Sequence, residues 1–216
     1  YNIDGPDGSV DASVRVDVEV HDRGGNVVQN MASHPVRVKT DSGTTTFSPA
    51  SGDITLINGV GNLDLSNTKS ETVKIEIDNA VGAPTPQTSI AGVEDNIKFD
   101  PGMVTQISVS SPATATAGQP VTSVELQAFD QYNNRNNIDG VTYQVELTTK
   151  KKGTAVVRST DNLNLVGGIS TSTPTFNTAE EIEFSITNLT PILNGASNPI
   201  STISRSTTVI DPSTPT

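Results

Sequence analysis

Two clusters of oxygen donors are the residues of this sequence best suited to chemistry. The tetrapeptide NIDG occurs at residues 2–5 and again at 137–140. Asp4, Asp7 and Asp11 surround the first, and Asp130, Asn133, Asn136 and Asp139 surround the second. Carboxylate and amide oxygens gathered on a loop form the donor set of a hard cation such as Ca2+, which takes roughly six to eight oxygens. Neither cluster has EF-hand spacing, because Pro6 stands where a ligand is required and no Glu closes the loop. Asp22 and Asp100 stand in further Gly- or Pro-containing loops, so the candidate calcium ligands are Asp4, Asp7, Asp22, Asp100, Asp130 and Asp139. Asn, Asp and Gly also populate turns for purely local reasons, and capping of its own loop is the plainer role for Asp22.

Catalytic groups are sparse. His21 and His34 are the only imidazoles, no Ser stands in a G-x-S-x-G context, and the absence of Cys removes disulfides, thiolate metal sites and Cys nucleophiles. His21, beside Asp22, reads as a strand-end residue rather than a general base. Abundant Asp and Glu leave paired-carboxylate glycoside hydrolysis open on composition. With no Trp and 4% aromatics there is little to stack on a sugar ring, Tyr132 and Tyr143 offering one platform at most. The sequence therefore predicts no enzyme. A formal net charge of −11 repels phosphate backbones and anionic membranes, which excludes nucleic acid as a partner. The basic run Lys150-Lys151-Lys152 reads as a solvated loop, and Asn188-Leu189-Thr190 is a glycosylation sequon.

The elements that must position these loops are strands. Alternating β-branched segments separated by Gly, Pro, Asn and Asp recur throughout, and no window holds helical spacing for more than a turn or two, so the chain reads as all-β. Hydrophobic residues are only 33%, so the core must rest on Val, Ile and Leu. Landmarks repeat: Asp22 and Asp130 lie 108 residues apart, Gly59 and Gly167 108, Ile77 and Ile186 109, and Phe99-Asp100-Pro101 and Ile210-Asp211-Pro212 111. A steady period of this kind marks tandem copies. The predicted domains are 1–101 and 102–216, the latter ending in the Pro- and Thr-rich linker DPSTPT. In the second copy strands are predicted near 104–110, 122–129, 141–148, 154–158, 163–166, 169–172, 181–187 and 200–209, a number that fits an immunoglobulin-like β-sandwich. The first copy is expected to lack its first strand, since subtracting 108 from residues 103–111 places the counterpart before residue 4. Either the chain was cut from a longer array or another chain supplies the edge by strand addition. The start at Tyr1, without initiator Met or leader, is that of a processed or excised piece.

The pattern of an alternating strand, then Asp, then Gly or Asn, then a Val-rich strand, seen in VEVHDRGGNVVQN, resembles the bacterial immunoglobulin-like modules of invasin- and intimin-type surface proteins. FDQYNNRNNIDG in the second copy keeps the Asp and Asn but replaces the glycines and is longer. The resemblance implies two tandem immunoglobulin-like β-sandwich domains on an extracellular cell-surface protein, acting as a stalk or spacer. Asp130 and Asp139 would face the linker Asp100-Pro101-Gly102, and Asp22 would lie near Asp4 and Asp7. Two other readings stand beside the spacer. One is a filament or surface-layer subunit whose partners are further copies of the same chain; the other is a module that binds a host protein or glycan.

Overall fold

The structure, a computed structural model, describes residues 1–79, 93–137, 142–190, 201–203 and 205–211. Its contacts divide the chain into two compact units, Tyr1–Asp100 and Pro101–Thr216. Every regular element among the described residues is a strand, and each unit is an immunoglobulin-like β-sandwich.

The first unit contains β1 (Asn2–Asp4), β2 (Gly8–Ser9), β3 (Val14–Glu19), β4 (His34–Thr40), β5 (Thr45–Ser48), β6 (Asp53–Leu56), β7 (Val60–Asn67), β8 (Thr72–Asn79) and β9 (Glu94–Asp100). They form one sheet in the order β1-β3-β7-β5 and another in the order β2-β9-β8-β4-β6. Strict alternation explains the layering: Val14, Val16 and Val18 of β3 are buried, while Arg15 and Asp17 between them are exposed. Val73, Ile75 and Ile77 of β8 join the same aliphatic interior. Each such side chain contributes about 1.5–3 kcal/mol on burial.

The second unit contains β10 (Gln106–Ser110), β11 (Thr114–Thr116), β12 (Val124–Phe129), β13 (Thr142–Lys151), β14 (Val157–Val166), β15 (Ile169–Ser172), β16 (Glu181–Thr190), β17 (Ser201–Ile203) and β18 (Arg205–Ile210). Hydrogen bonding runs continuously in the order β11-β18-β16-β13-β14-β15-β12-β10-β17. The two layers are joined where Val166 pairs with Ile169 across Gly167-Gly168. Ile57 pairs with Val60 across Asn58-Gly59 in the same way. All four turn residues have positive φ, 52° and 79° in the first unit and 57° and 73° in the second. A side chain at Gly168 would also meet the Asn136 carbonyl oxygen at 1.7 Å, so the crossing requires glycine there.

Three expectations need correction. The first copy does have its first strand: Asn2–Asp4 pairs antiparallel with β3, Ile3 opposite Val18, as Val109 stands opposite Leu126. Ile3 and Val18 are 15 residues apart and Val109 and Leu126 are 17, so the loop is two residues shorter in the first unit and a constant period overshoots. The second correction is that the predicted strands 154–158 and 163–166 are replaced by one strand, β14, which starts only at Val157 and runs through the polar residues 159–162 to Val166. The third concerns the period: Gly59 corresponds to Gly168 and Phe99 to Val209, each one residue from the sequence alignment. The Gly59 carbonyl accepts from Val20 N–H as Gly168 accepts from Ala128, and Asp100 accepts from Val10 as Ile210 accepts from Ala117.

Candidate functional site

Loops after the second strand of each unit hold the most elaborate polar geometry. A strand that must turn toward the opposite layer leaves several backbone N–H groups without ladder partners, and an Asp at its end can accept them. Asp22 Oδ1 accepts from Gly24 N at 2.8 Å and Asn26 N at 2.9 Å. Asp130 Oδ1 accepts from Tyr132 N at 2.9 Å and Asn134 N at 2.8 Å. Backbone bonds repeat too, Asp22 N to Asn26 O at 2.8 Å and Asp130 N to Asn134 O at 3.0 Å. Asn133 takes the left-handed conformation, φ 67°, that Gly25 takes at 82°, which is why the second copy can dispense with the glycine. The Asp22 carboxyl is held below its ordinary range, first by the Asn26 backbone N–H, then by its side-chain amide, and by Gly24.

The two loops then part. Asp22 is exposed, whereas Asp130 is buried with 3% of its surface exposed. Asp130 Oδ2 accepts from Asn134 Nδ2 and from Gly102 N, both at 2.9 Å. The carbonyl of the same Gly102 accepts from Asn136 Nδ2 at 3.0 Å, and Asn136 Oδ1 accepts from Tyr143 Oη at 3.4 Å. Asn136 and Tyr143 are buried, and burial pushes the Tyr143 phenol up from its ordinary value. Gly102 is thus held at both its donor and its acceptor by one buried network. At the place of Asn136 the first unit has Val28, whose N–H donates to Val20 O as Asn136 N–H donates to Ala128 O. Val28 has no side-chain donor, so the network belongs to the second unit alone.

The other sequence candidates are dispersed. Asp4 is exposed on β1 opposite Asp17, five residues before Asp22, which lies in the loop beyond the end of β3, so the register does not bring the two carboxylates together. Asp7 Oδ1 accepts from Lys98 N at 2.7 Å, and Asp100 pairs with Lys98 Nζ at 2.8 Å. Asp139 lies outside the described residues. Among the described residues no group of three or more His, Cys, Asp or Glu side chains is assembled as a metal site. His21 Nε2 lies 2.8 Å from Glu19 Oε2, and Tyr143 is in the core, so it offers no surface platform.

Glu71 and Glu180, which sequence reading did not single out, occupy matching places before β8 and β16. Their carbonyls accept from Phe99 and Val209 respectively, both at 2.8 Å. The Glu71 carboxyl is lowered to about 2, first by Lys69, then by Ser42, Asn67 and Thr44. Glu180 is held low by Arg158, whose Nε and Nη2 lie 2.5 and 2.6 Å from its two oxygens. Their only signal in the sequence is recurrence at the repeat spacing.

No protein-family model and no curated protein matches the chain. Among solved structures it is similar to the D0-D1 domain of intimin, with 14% identity, a TM-score of 0.36, and coverage of 96% of this chain and 97% of that one. It is also similar to invasin, described as a bacterial integrin-binding protein, with 16% identity and a TM-score of 0.36. A third likeness is to FdeC, an Escherichia coli adhesin, with 16% identity and a TM-score of 0.49. Each of these two alignments covers 97% of this chain, but only 39% of the invasin structure and 62% of the FdeC structure. These neighbours match the immunoglobulin-like invasin- and intimin-type modules that the sequence pattern resembles.

Proposed function

We propose that the chain is a structural spacer of an extracellular, cell-surface adhesin, with no catalytic role. The observation that carries this reading is the capture of Gly102. β9 ends at Asp100, a single residue, Pro101, follows, and Gly102 is bonded through both N–H and C=O to the body of the second unit. Proline fixes its own φ, and a buried glycine held on both sides has lost its usual freedom. The net charge of −11 supports the same reading, since like-charged neighbours stay soluble and separate.

The test is rotational diffusion of the full chain from 15N relaxation. Amides of β3, β4 and β8 and those of β12, β13 and β16 are expected to report one common tumbling time. In the double variant Asp130→Ala, Asn136→Ala both units stay folded and the two sets report separate, shorter times. Two independent times in the unsubstituted chain would refute the spacer reading.

A further inference from the structure

We propose that β14 is the surface through which two copies of this chain pair, edge to edge and antiparallel. Strand edges present unpaired N–H and C=O groups, and proteins blunt them with short strands, Pro, Lys or bulges. Here the margins are β1, β5, β2 and β6 in the first unit and β11 and β17 in the second, each of two to four residues. β14 is ten residues long and pairs with β13, with one bulge at Arg158 that leaves the regular edge from Ser159 onward. On its other side, among the described residues, the ladder is limited to Val166 with Ile169. Ser172 Oγ donates to Asp161 Oδ2 at 3.2 Å, a side-chain link that leaves the backbone edge of Val157–Asn164 without a ladder.

The first unit shows what a protected version looks like. There the counterpart of β14, at the offset of 109 that relates Gly59 to Gly168, is residues 48–57, of which only the last residue of β5 and the four residues of β6 are strand, β6 lying beside β4. The second unit keeps the run as one strand, bulged only near its start. Its sequence, VRSTDNLNLV, contains neither Pro nor Lys. Of its two charges, Arg158 is engaged with Glu180 at 2.5 Å. Val157, 52% exposed, stands at one end of the open stretch.

A second copy is the natural occupant, because an antiparallel edge is its own complement under a two-fold axis. The axis must run through a residue so that inner faces meet inner faces, and Asp161 is a poor centre because it would oppose its own charge. Centring on Thr160 places Arg158 opposite Asn162 and Ser159 opposite Asp161 of the second copy. No like charges are opposed. This step goes beyond the spacer reading and stands or falls without it, since one tests tumbling within a chain and the other association between chains.

The experiment is sedimentation equilibrium of the full chain with cysteine cross-linking. The dimer is expected to be weak, forming at about 0.1–1 mM, because one strand edge is a small interface. Association should strengthen between about 0.05 and 0.5 M NaCl as the repulsion of two chains of charge −11 is screened. The chain has no Cys. Thr160→Cys should therefore form an intermolecular disulfide at least about tenfold faster than Thr55→Cys on the edge of β6, the fold-difference expected of a preferred contact. Thr160→Asp should abolish the dimer and Thr160→Asn retain it, both with the far-ultraviolet circular dichroism of the parent. A monomer throughout, equal cross-linking at the two edges, or a dimer indifferent to Thr160→Asp would overturn the proposal.

Discussion

Replacing Asp130 by Ala separates the price of losing a turn bond in water from that of losing it in the interior. Its carboxylate accepts four hydrogen bonds, from Tyr132 N, Asn134 N, Asn134 Nδ2 and Gly102 N, at 2.8 to 2.9 Å. Bonds to a charged acceptor are worth about 1.5–3 kcal/mol each, but most of the gain is returned where water can replace the acceptor. Tyr132 and Asn134 sit on a partly exposed loop. Gly102 is buried, so its N–H is left without a partner at a cost of about 1–3 kcal/mol. Removing a buried carboxylate also relieves its desolvation, which offsets part of the loss. The net effect is a destabilisation of about 2 kcal/mol, dominated by Gly102.

Native-state amide hydrogen exchange reads the two units separately. In Asp130→Ala the slowest amides of β12, β13 and β16 should exchange on the order of 30-fold faster, the factor that about 2 kcal/mol implies, while those of β3, β4 and β8 keep their rates. Asp130→Asn should fare little better, because an amide nitrogen would face either Gly102 N–H or the Tyr132 and Asn134 N–H groups. Asp22→Ala removes the same turn bonds where solvent replaces them, and its effect on the first unit should be much smaller. Equal effects of Asp22→Ala and Asp130→Ala would show that the Gly102 bond contributes nothing, and the reasoning would fail.

Two further outcomes follow from local geometry. Because Glu71 has a folded value of about 2, below its ordinary 4.5, the stability it contributes is complete above 4.5 and is lost as pH falls through 2. The melting temperature of the first unit should therefore fall less steeply between those values in Glu71→Gln than in the unsubstituted chain, as followed by calorimetry. Gly168→Ala should cost the second unit about 2–4 kcal/mol in urea denaturation, since the new Cβ would meet the Asn136 carbonyl oxygen at 1.7 Å. Gly153→Ala, with a similar φ of 72° but open surroundings, should cost only about 1–2 kcal/mol.

The layers of this protein were legible because alternation is a local signal: Val14, Val16 and Val18 could be assigned to an interior without knowing what lay opposite. The duplication was legible for the same reason, since Asp22 and Asp130 mark the same turn whatever surrounds them. What failed depended on loop length. A difference of two residues between the first and second strands hid β1, and a polar stretch hid the continuity of β14, because an exposed strand face and a turn share their composition. Asp130 could be placed beside Gly102 from topology. That Asn136 would hold the other side of the same glycine could not, because a buried Asn and a cation-ligating Asn look alike until the partner is known. Glu71 and Glu180 escaped because their donors, among them Ser42 and Arg158, come from distant segments.

The two units act as controls for one another. Where both keep a feature, such as the Asp-capped loop or the pair of left-handed residues at the layer crossing, the feature is required by the fold, since two diverged sequences solve the same backbone problem alike. Where they differ at a structurally matched place, the fold does not demand the change. Val28 shows that the loop closes without a polar side chain at that position, so the buried Asn136 is explained by Gly102, which it holds. In the same way β6 shows that the sandwich tolerates a four-residue edge, so the ten residues of β14 are not forced by the architecture. Both departures lie in the second unit, and each places polar backbone or side-chain groups where they can fix a connection. One holds a glycine of its own chain, and the other offers a strand edge to a second copy.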